Sequence, residues 1–266
     1  VHNVIEVEIL TMEGEWMTLG GRGLDAPGLD LLALMHGSEG LLGIVMQVTV
    51  KLLPRPQLAR VVLAAFDSVD AAGAAVADII AAGLTPAGLE MMDKLAIEVA
   101  EAYCHAGYPL TAEAMLLCEV DGNEVDVAAQ IDAVNTVLKR AGASELRVSR
   151  DEAERLRFWL GRKSAFPAIG RIAPDYFCMD GTIPRKHLAA VLREISALSH
   201  EFALPVANVF HAGDGNLHPL IAFDANSDDE MQRAAELGSR ILALCVAVGG
   251  TVTGEHGVGV EKLNEM

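Results

Sequence analysis

Val209-Phe210-His211-Ala212-Gly213-Asp214-Gly215-Asn216-Leu217-His218-Pro219 reads as two β-strands joined by a tight turn. Asp214-Gly215 is a two-residue hairpin signal, because a type I′ turn needs positive φ at both central positions and these residue types tolerate it. With that pair at the tip, His211 stands three residues before the turn and His218 three residues after it. The two imidazoles are then expected directly opposite each other on one face of the sheet, with β-carbons about 5 Å apart. Histidines so placed can share one metal ion. A second glycine-rich turn, Gly254-Glu255-His256-Gly257, follows about forty residues later. Glu255 supplies a third ligand, and three protein ligands with one open position form a catalytic divalent-metal site. One histidine beside a glycine turn ordinarily only solvates its loop; the opposed pair with a nearby Glu-His is what points to chemistry.

Working outward, the hairpin sits in a repeating order of elements. Strand 59–66, helix 70–82, strand 88–92, helix 94–103, strand 115–120, helix 124–141 and strand 145–149 come first. Without the helix at 94–103 this is β-α-β-β-α-β, the ferredoxin-like plan. A separate helix is expected over 151–163. The order then recurs as strand 176–183, helix 186–202, strands 206–210 and 217–223, helix 229–248 and a strand near Thr251. The halves share pattern and no sequence identity. The expected fold class is therefore α+β, with tandem ferredoxin-like units forming a large antiparallel sheet covered by helices on one face. The first 56 residues differ in texture: short strands, a glycine cluster at Gly20-Gly21-Arg22-Gly23, and a long strand 44–53 running into Pro54-Arg55-Pro56. Two prolines around an arginine neither continue a strand nor open a helix well. The domain boundary is placed there, dividing 1–56 from 57–266.

A chain of 266 residues, 52% hydrophobic, can bury one substantial core or one and a half. Its apolar residues lie in short segments, and none approaches the roughly 18 uninterrupted apolar residues of a membrane span. A net charge of −17 argues against a nucleic-acid partner, since phosphate binding needs a basic surface. An anionic substrate would need a local basic pocket. Arg155, Arg157, Arg162, Lys163 and Arg171 supply candidates, although Asp151, Glu152 and Glu154 stand at pairing distance along the same helix. Arg162-Lys163 falls where the expected helix gives way to Ser164-Ala165-Phe166-Pro167, so Arg162 can reach past the helix end and grip a carboxylate with two parallel hydrogen bonds. His36-Gly37-Ser38-Glu39-Gly40 is not a nucleophile elbow, because a histidine replaces the first glycine and no Asp-His partners follow in order. A glycine-rich loop ahead of a β-branched strand better suits backbone amides approaching a phosphate or ring system. Met91, Met92 and Met46 read as core filler. Cys104, Cys118, Cys178 and Cys245 form no Cys-x-x-Cys pair, which argues against an iron–sulfur cluster or disulfide framework and favours a reducing cytosol. The opening Val1-His2-Asn3-Val4-Ile5-Glu6 reads as mid-strand and not as a signal peptide.

Gly37-Ser38-Glu39-Gly40-Leu41-Leu42-Gly43-Ile44 resembles the late segment of the flavin-binding domain in vanillyl-alcohol-oxidase-type flavoproteins. His211, Asp214-Gly215-Asn216 and His218, with Gly254-Glu255-His256-Gly257, resemble the C-terminal signature of the FAD-linked 2-hydroxy acid oxidases and dehydrogenases. Gly161-Arg162-Lys163-Ser164-Ala165-Phe166-Pro167-Ala168 and the stretch 174–184 strengthen the likeness, which covers essentially the whole chain. The resemblance implies a C-terminal fragment: the remnant of a flavin-binding α+β domain, then a substrate (cap) domain. It implies oxidation of a small 2-hydroxy acid, glycolate or D-lactate, to the 2-keto acid. Hydroxyglutarate-specific relatives carry a lysine near the position of Cys178 for a second carboxylate, and this chain has none there. The implied roles are FAD against Glu39, Gly40, Gly43 and Ile44; a divalent metal (zinc, manganese or iron) on His211, His218 and Glu255; His256 as general base; and Arg162 and Asn216 on substrate. Most of the FAD contact would come from the portion preceding this chain, so the fragment alone should turn over little. Electrons would pass to an iron–sulfur subunit, alongside a second flavin-domain subunit, in a cytoplasmic glycolate-oxidising complex that those subunits could hold at the inner membrane. Two other readings of the same residues are a zinc-dependent hydrolase using His211, His218 and Glu255, and a non-catalytic assembly subunit.

Overall fold

The computed structural model describes residues 2–23 and 28–266; Val1, which opens the strand-like N-terminal stretch, lies outside them. The chain forms two compact units, the described residues up to Arg55 with Gly257–Leu263, and Pro56–His256 with Asn264–Met266.

In the first unit, β1 (Val4–Leu10), β2 (Trp16–Gly20) and β3 (Ile44–Val50) form an antiparallel sheet in the order β2-β1-β3, with α1 (Leu31–Met35) beside it. Val7, Ile9, Leu19 and Met35 make its small core. The strand expected over 44–53 stops at Val50 because β1 runs out of backbone: Val4 pairs with Val50, and Lys51 N–H donates to Asn3 O. Met46 is half-exposed on β3 and fills no core.

The second unit contains β4 (Leu58–Phe66), α2 (Val69–Ala81), β5 (Gly88–Asp93), α3 (Lys94–Cys104), β6 (Ala114–Gly122), α4 (Glu124–Arg140), β7 (Glu145–Val148) and α5 (Glu152–Ala168). It continues with β8 (Asp175–Cys178), α6 (Leu188–Phe202), β9 (Val206–Phe210), β10 (Pro219–Phe223) and α7 (Asp228–Ala247). Its seven strands run β7-β4-β6-β5-β9-β10-β8, every neighbouring pair antiparallel. The first four strands take the order fourth-first-third-second of a ferredoxin-like unit. The second half mirrors them as β9-β10-β8, and its fourth strand shrinks to one bridge, Thr182 to Thr251. The tandem plan is present.

Helices cover both faces of this sheet, not one. Val62, Ala64 and Phe66 pack with α2, α4, α6 and α7, whereas Val61, Leu63 and Ala65 pack with α3 and α5. Val61-Val62-Leu63-Ala64-Ala65-Phe66 is an unbroken apolar run, which demands burial on both sides. Met91 and Met92 fill the two opposite cores.

Two element ends moved for local reasons. α5 continues to Ala168 through Pro167, where the ring costs one hydrogen bond near a helix end, while Ala165 and Ala168 bury in the α3 core. β8 ends at Cys178, not at residue 183, because Asp180 leaves the strand path to bond the chain at 253–256.

The halves meet at β5 and β9 through only two register pairs, Met91 to Phe210 and Met92 to Val209. Asp93 then extends the seam with its side chain. One carboxylate oxygen caps α3 at Ala96 N, and the other accepts from Asn208 N and Nδ2. Burial pushes the Asp93 carboxyl up from 3.8 to about 6. The folded state therefore holds this proton more tightly than the unfolded chain, so stability rises as pH falls through 6 toward 4, by about 3 kcal/mol. Urea unfolding of the protein and of Asp93→Asn should show the difference between them changing by that amount between pH 8 and pH 4, in favour of the native residue at low pH.

Candidate active site

β9 and β10 present the two histidines, but by a different turn from the expected one. Register pairs Pro219 to Asn208 and Leu220 to Ala207 carry on to a bridge between His211 and Asn216, leaving the four residues 212–215 as the loop. Gly215 N–H reaches back to His211 O, and only Gly215 of the loop takes a positive φ, at +76°. A β-carbon there would lie 2.2 Å from Ile183 O, so the loop needs glycine at that point. The register is thus two residues off the type I′ expectation. His218 bonds opposite Val209, and His211 is its diagonal neighbour instead of its direct partner. A shift of two preserves the face of every side chain, because side chains alternate with period two. The rings still meet edge to face, with centroids 5.1 Å apart.

Glu255 completes a tight cluster. Its Oε1 lies 3.3 Å from His211 Nε2, 3.2 Å from His218 Nε2 and 3.9 Å from His256 Nε2. His256 stacks on His218 at 5.0 Å. His218 is buried; its Nε2 faces the Glu255 and Asp180 carboxylates at 3.2 and 3.6 Å, and its Nδ1 meets no hydrogen-bond partner among the described residues. The two N–O separations, 3.3 and 3.2 Å, match the ligand–ligand edge of a tetrahedral ion with bonds near 2.0–2.1 Å. The chemistry of the donor set, imidazole nitrogens gathered around carboxylate oxygens, fits a divalent metal. Among the described residues, the group whose ligand atoms all lie within 4.8 Å of one another is Asp180, His218, Glu255 and His256; His211 approaches it through Glu255.

Asp180 does different work, and sequence reasoning missed it. It is fully buried and accepts hydrogen bonds from Thr253 Oγ1 (2.7 Å) and from the amides of Gly254 (3.0 Å), Glu255 (3.1 Å) and His256 (2.8 Å). Burial works against its charge, but the His218 ring, the Thr253 hydroxyl and the His256 and Gly254 amides outweigh it and hold the carboxyl well below its usual range. An acceptor so engaged shapes the Glu255-His256 loop. The only local signal is a strand-breaking Met179-Asp180-Gly181. Gly254 packs on Asn216, whose Oδ1 a β-carbon would approach to 2.3 Å, so this glycine serves the loop's packing.

Arg162 lies within α5, buried, and does not extend from a helix end. Its Nε donates to Glu90 Oε2 at 2.8 Å, and its guanidinium carbon sits 5.9 Å from the Phe166 ring centre. Phe166 in turn meets His218 edge-on at 5.8 Å. Glu90 is the second residue missed. Its other oxygen lies 2.7 Å from His211 Nδ1, so one buried carboxylate joins Arg162 to the histidine cluster. That hydrogen bond, foremost, raises the His211 pKa. Glu90 stands alone in the apolar run Leu89-Glu90-Met91-Met92, and a lone acid in such a run is buried only when paired. The other basic residues go elsewhere: Arg155 pairs with Glu119 and Glu152, Arg157 with Glu154, and Lys163 and Arg171 face solvent.

An open cavity of about 410 Å³ is lined by Thr182, His211, Asp214, Asn216, Gly254 and Glu255. That volume suits a small ligand.

In the first unit, the Glu39 carboxylate accepts from Val258 N (2.7 Å) and Gly259 N (2.9 Å), which hold its pKa below the usual range. A β-carbon on Gly43 would press on Leu10 O and Ile9. Gly40, at φ +79° with open space around it, and the exposed Ile44 remain available to a planar apolar group. Of the set expected against FAD, Glu39 is thus engaged by the 258–259 amides, while Gly40 and Ile44 are open to contact.

Residues 55–266 match the family described as FAD linked oxidases, C-terminal domain. The chain belongs to the FAD linked oxidases. It is 62% identical over all 266 residues to the glycolate oxidase subunit GlcD of Escherichia coli (strain K12), covering 53% of that protein. It is 30% identical over 268 residues to a probable mitochondrial D-lactate dehydrogenase of Danio rerio, covering 98% of this chain and 53% of the relative. The chain spans about half the length of these curated relatives. A solved structure of 4-ethylphenol oxidase from Gulosibacter chungangensis superposes with a TM-score of 0.72 at 12% identity, over 94% of this chain and 57% of that one, and shares the fold. Among the described residues, no helix is long and apolar enough to cross a membrane.

Proposed function

We propose that this chain carries the substrate half of the site in a flavoprotein that oxidises a small 2-hydroxy acid, glycolate or D-lactate, to the 2-keto acid, with electrons leaving through a partner iron–sulfur subunit. The observation that carries the reading is Arg162: a buried cation, tied by Glu90 to a cluster of three imidazoles and one carboxylate. Similarity to GlcD and to a D-lactate dehydrogenase supports it. His211, His218 and Glu255 would hold the divalent metal, since the Asp180 carboxylate is engaged by the 253–256 loop. When bound, the metal supplies positive charge beside the developing alkoxide, and FAD supplies the two-electron acceptor.

The remaining steps belong to this chain. Nε of Arg162 is committed to Glu90, which leaves its terminal nitrogens to grip the substrate carboxylate in a fork and orient the α-carbon. Asn216, which lines the cavity, offers a polar contact to the hydroxyl end. His256, beside Glu255 and open to solvent, takes the hydroxyl proton at Nε2.

Arg162→Ala tests the reading in the flavin-loaded protein. Flavin content should be retained while kcat/KM for glycolate falls about 10- to 100-fold, the worth of a charge-assisted bidentate contact. Unchanged kinetics would remove the clamp. Elemental mass spectrometry should find near-stoichiometric zinc, manganese or iron in the protein and its loss in His218→Ala; metal-free protein after soaking would remove the ion.

A further inference from the structure

We propose that Glu90 is a positioning residue that orients the substrate clamp and His211 together. The inference deepens the function proposed above and takes its value from the roles given there to Arg162 and His211. Glu90 sits on β5 in the middle of the sheet, 6% exposed, with apolar neighbours before and after it. A carboxylate is tolerated there only when charge and hydrogen bonds answer it. Both of its oxygens are answered, by different partners: Oε2 by Arg162 Nε at 2.8 Å and Oε1 by His211 Nδ1 at 2.7 Å. Arg162 is protonated at any ordinary pH, so the oxygens it and His211 meet are those of a carboxylate.

An ionised carboxylate is acceptor-only, so Nδ1 of His211 must carry its proton. Nε2, 3.3 Å from Glu255 Oε1, is then the nitrogen left with a lone pair for an ion. A carboxylate behind a ligating imidazole fixes both its tautomer and its ring plane. The same carboxylate takes the Nε–H of Arg162 and leaves the two terminal nitrogens uncommitted to Glu90. A shift of Glu90 moves clamp and ligand at once, which keeps the gripped carboxylate and the hydroxyl in one register.

The test uses long-range ¹H–¹⁵N spectra of the histidine rings in the intact chain at alkaline pH, with His211 assigned through His211→Ala, and calorimetric titration with Zn²⁺. The native protein should show His211 as the Nδ1–H tautomer and a distinct Arg162 Nε–H signal. Glu90→Gln, left with one acceptor, should lose at least one of the two signatures, Glu90→Ala should lose both, and each should bind Zn²⁺ about 10- to 100-fold more weakly. Glu90→Asp, too short to serve both partners, should keep one signature and lose the other. An Nε2–H tautomer in the native protein overturns the proposal, and so does a Glu90→Gln protein with native spectra and native affinity. The native spectrum alone decides if Glu90→Gln fails to fold. Native protein that shows the Nδ1–H tautomer but binds no Zn²⁺ supports the hold of Glu90 on His211 and removes the metal.

Discussion

Asp180→Ala should cost the folded second unit about 3–5 kcal/mol and abolish turnover in the flavin-loaded protein. The carboxylate is buried and accepts from one hydroxyl and three consecutive amides of the 253–256 loop. Removing it leaves those donors without their acceptor, and each hydrogen bond to a charged group contributes about 1.5–3 kcal/mol. The loop it shapes carries both Glu255 and His256, so a ligand and the base are lost together. Urea unfolding reads the stability term. Asp180→Asn separates the roles, because it keeps the size and one acceptor but turns the other toward donor character. It should recover part of the stability and little of the activity. An Asp180→Ala protein with native stability and rate would show that the loop keeps its shape without the carboxylate.

His256→Asn should lower kcat for 2-hydroxy acid oxidation by about 10²- to 10⁴-fold, the range for loss of a general base, while stability stays within about 0.5 kcal/mol. The contrast with Asp180 follows from which atoms are used. Asp180 holds the backbone amide of His256, which any residue supplies, whereas the imidazole is exposed and free to meet substrate. Metal content and flavin content should both survive the change. Steady-state rates with glycolate, alongside elemental analysis of the same preparation, check it. A rate within threefold of the native protein would move the base to another residue.

The histidine hairpin shows how far local sequence reaches. The loop centre is Gly213-Asp214 and not Asp214-Gly215, one residue earlier than the turn signal implies, which shifts the pairing register by two. The pair still converged, because alternation along a strand makes face membership indifferent to a shift of two. A shift of one would have separated them. The Arg162 expectation failed differently. The expected helix ends at residue 163, yet apolar packing of Ala165 and Ala168 carries it onward, and the arginine meets Glu90 from mid-helix. Glu90 and Asp180 gave almost no local sign of their roles. Their partners lie 72 and 121 residues from Glu90, and 73 to 76 residues from Asp180.

What depends on neighbours along the chain was legible from residue order: the tandem series of strands and helices, the histidines on a shared face, and the Glu-His turn between glycines. Each follows from a period of two or 3.6 residues or from backbone freedom at glycine, and needs no knowledge of distant partners. The assembled sheet is what shows that helices cover both faces, that one buried carboxylate joins Arg162 to His211, and that another holds the 253–256 loop at the site. The reason is physical: a buried charge is set by which groups the completed sheet brings within hydrogen-bond reach, and that is a property of strand order and register, not of spacing along the chain.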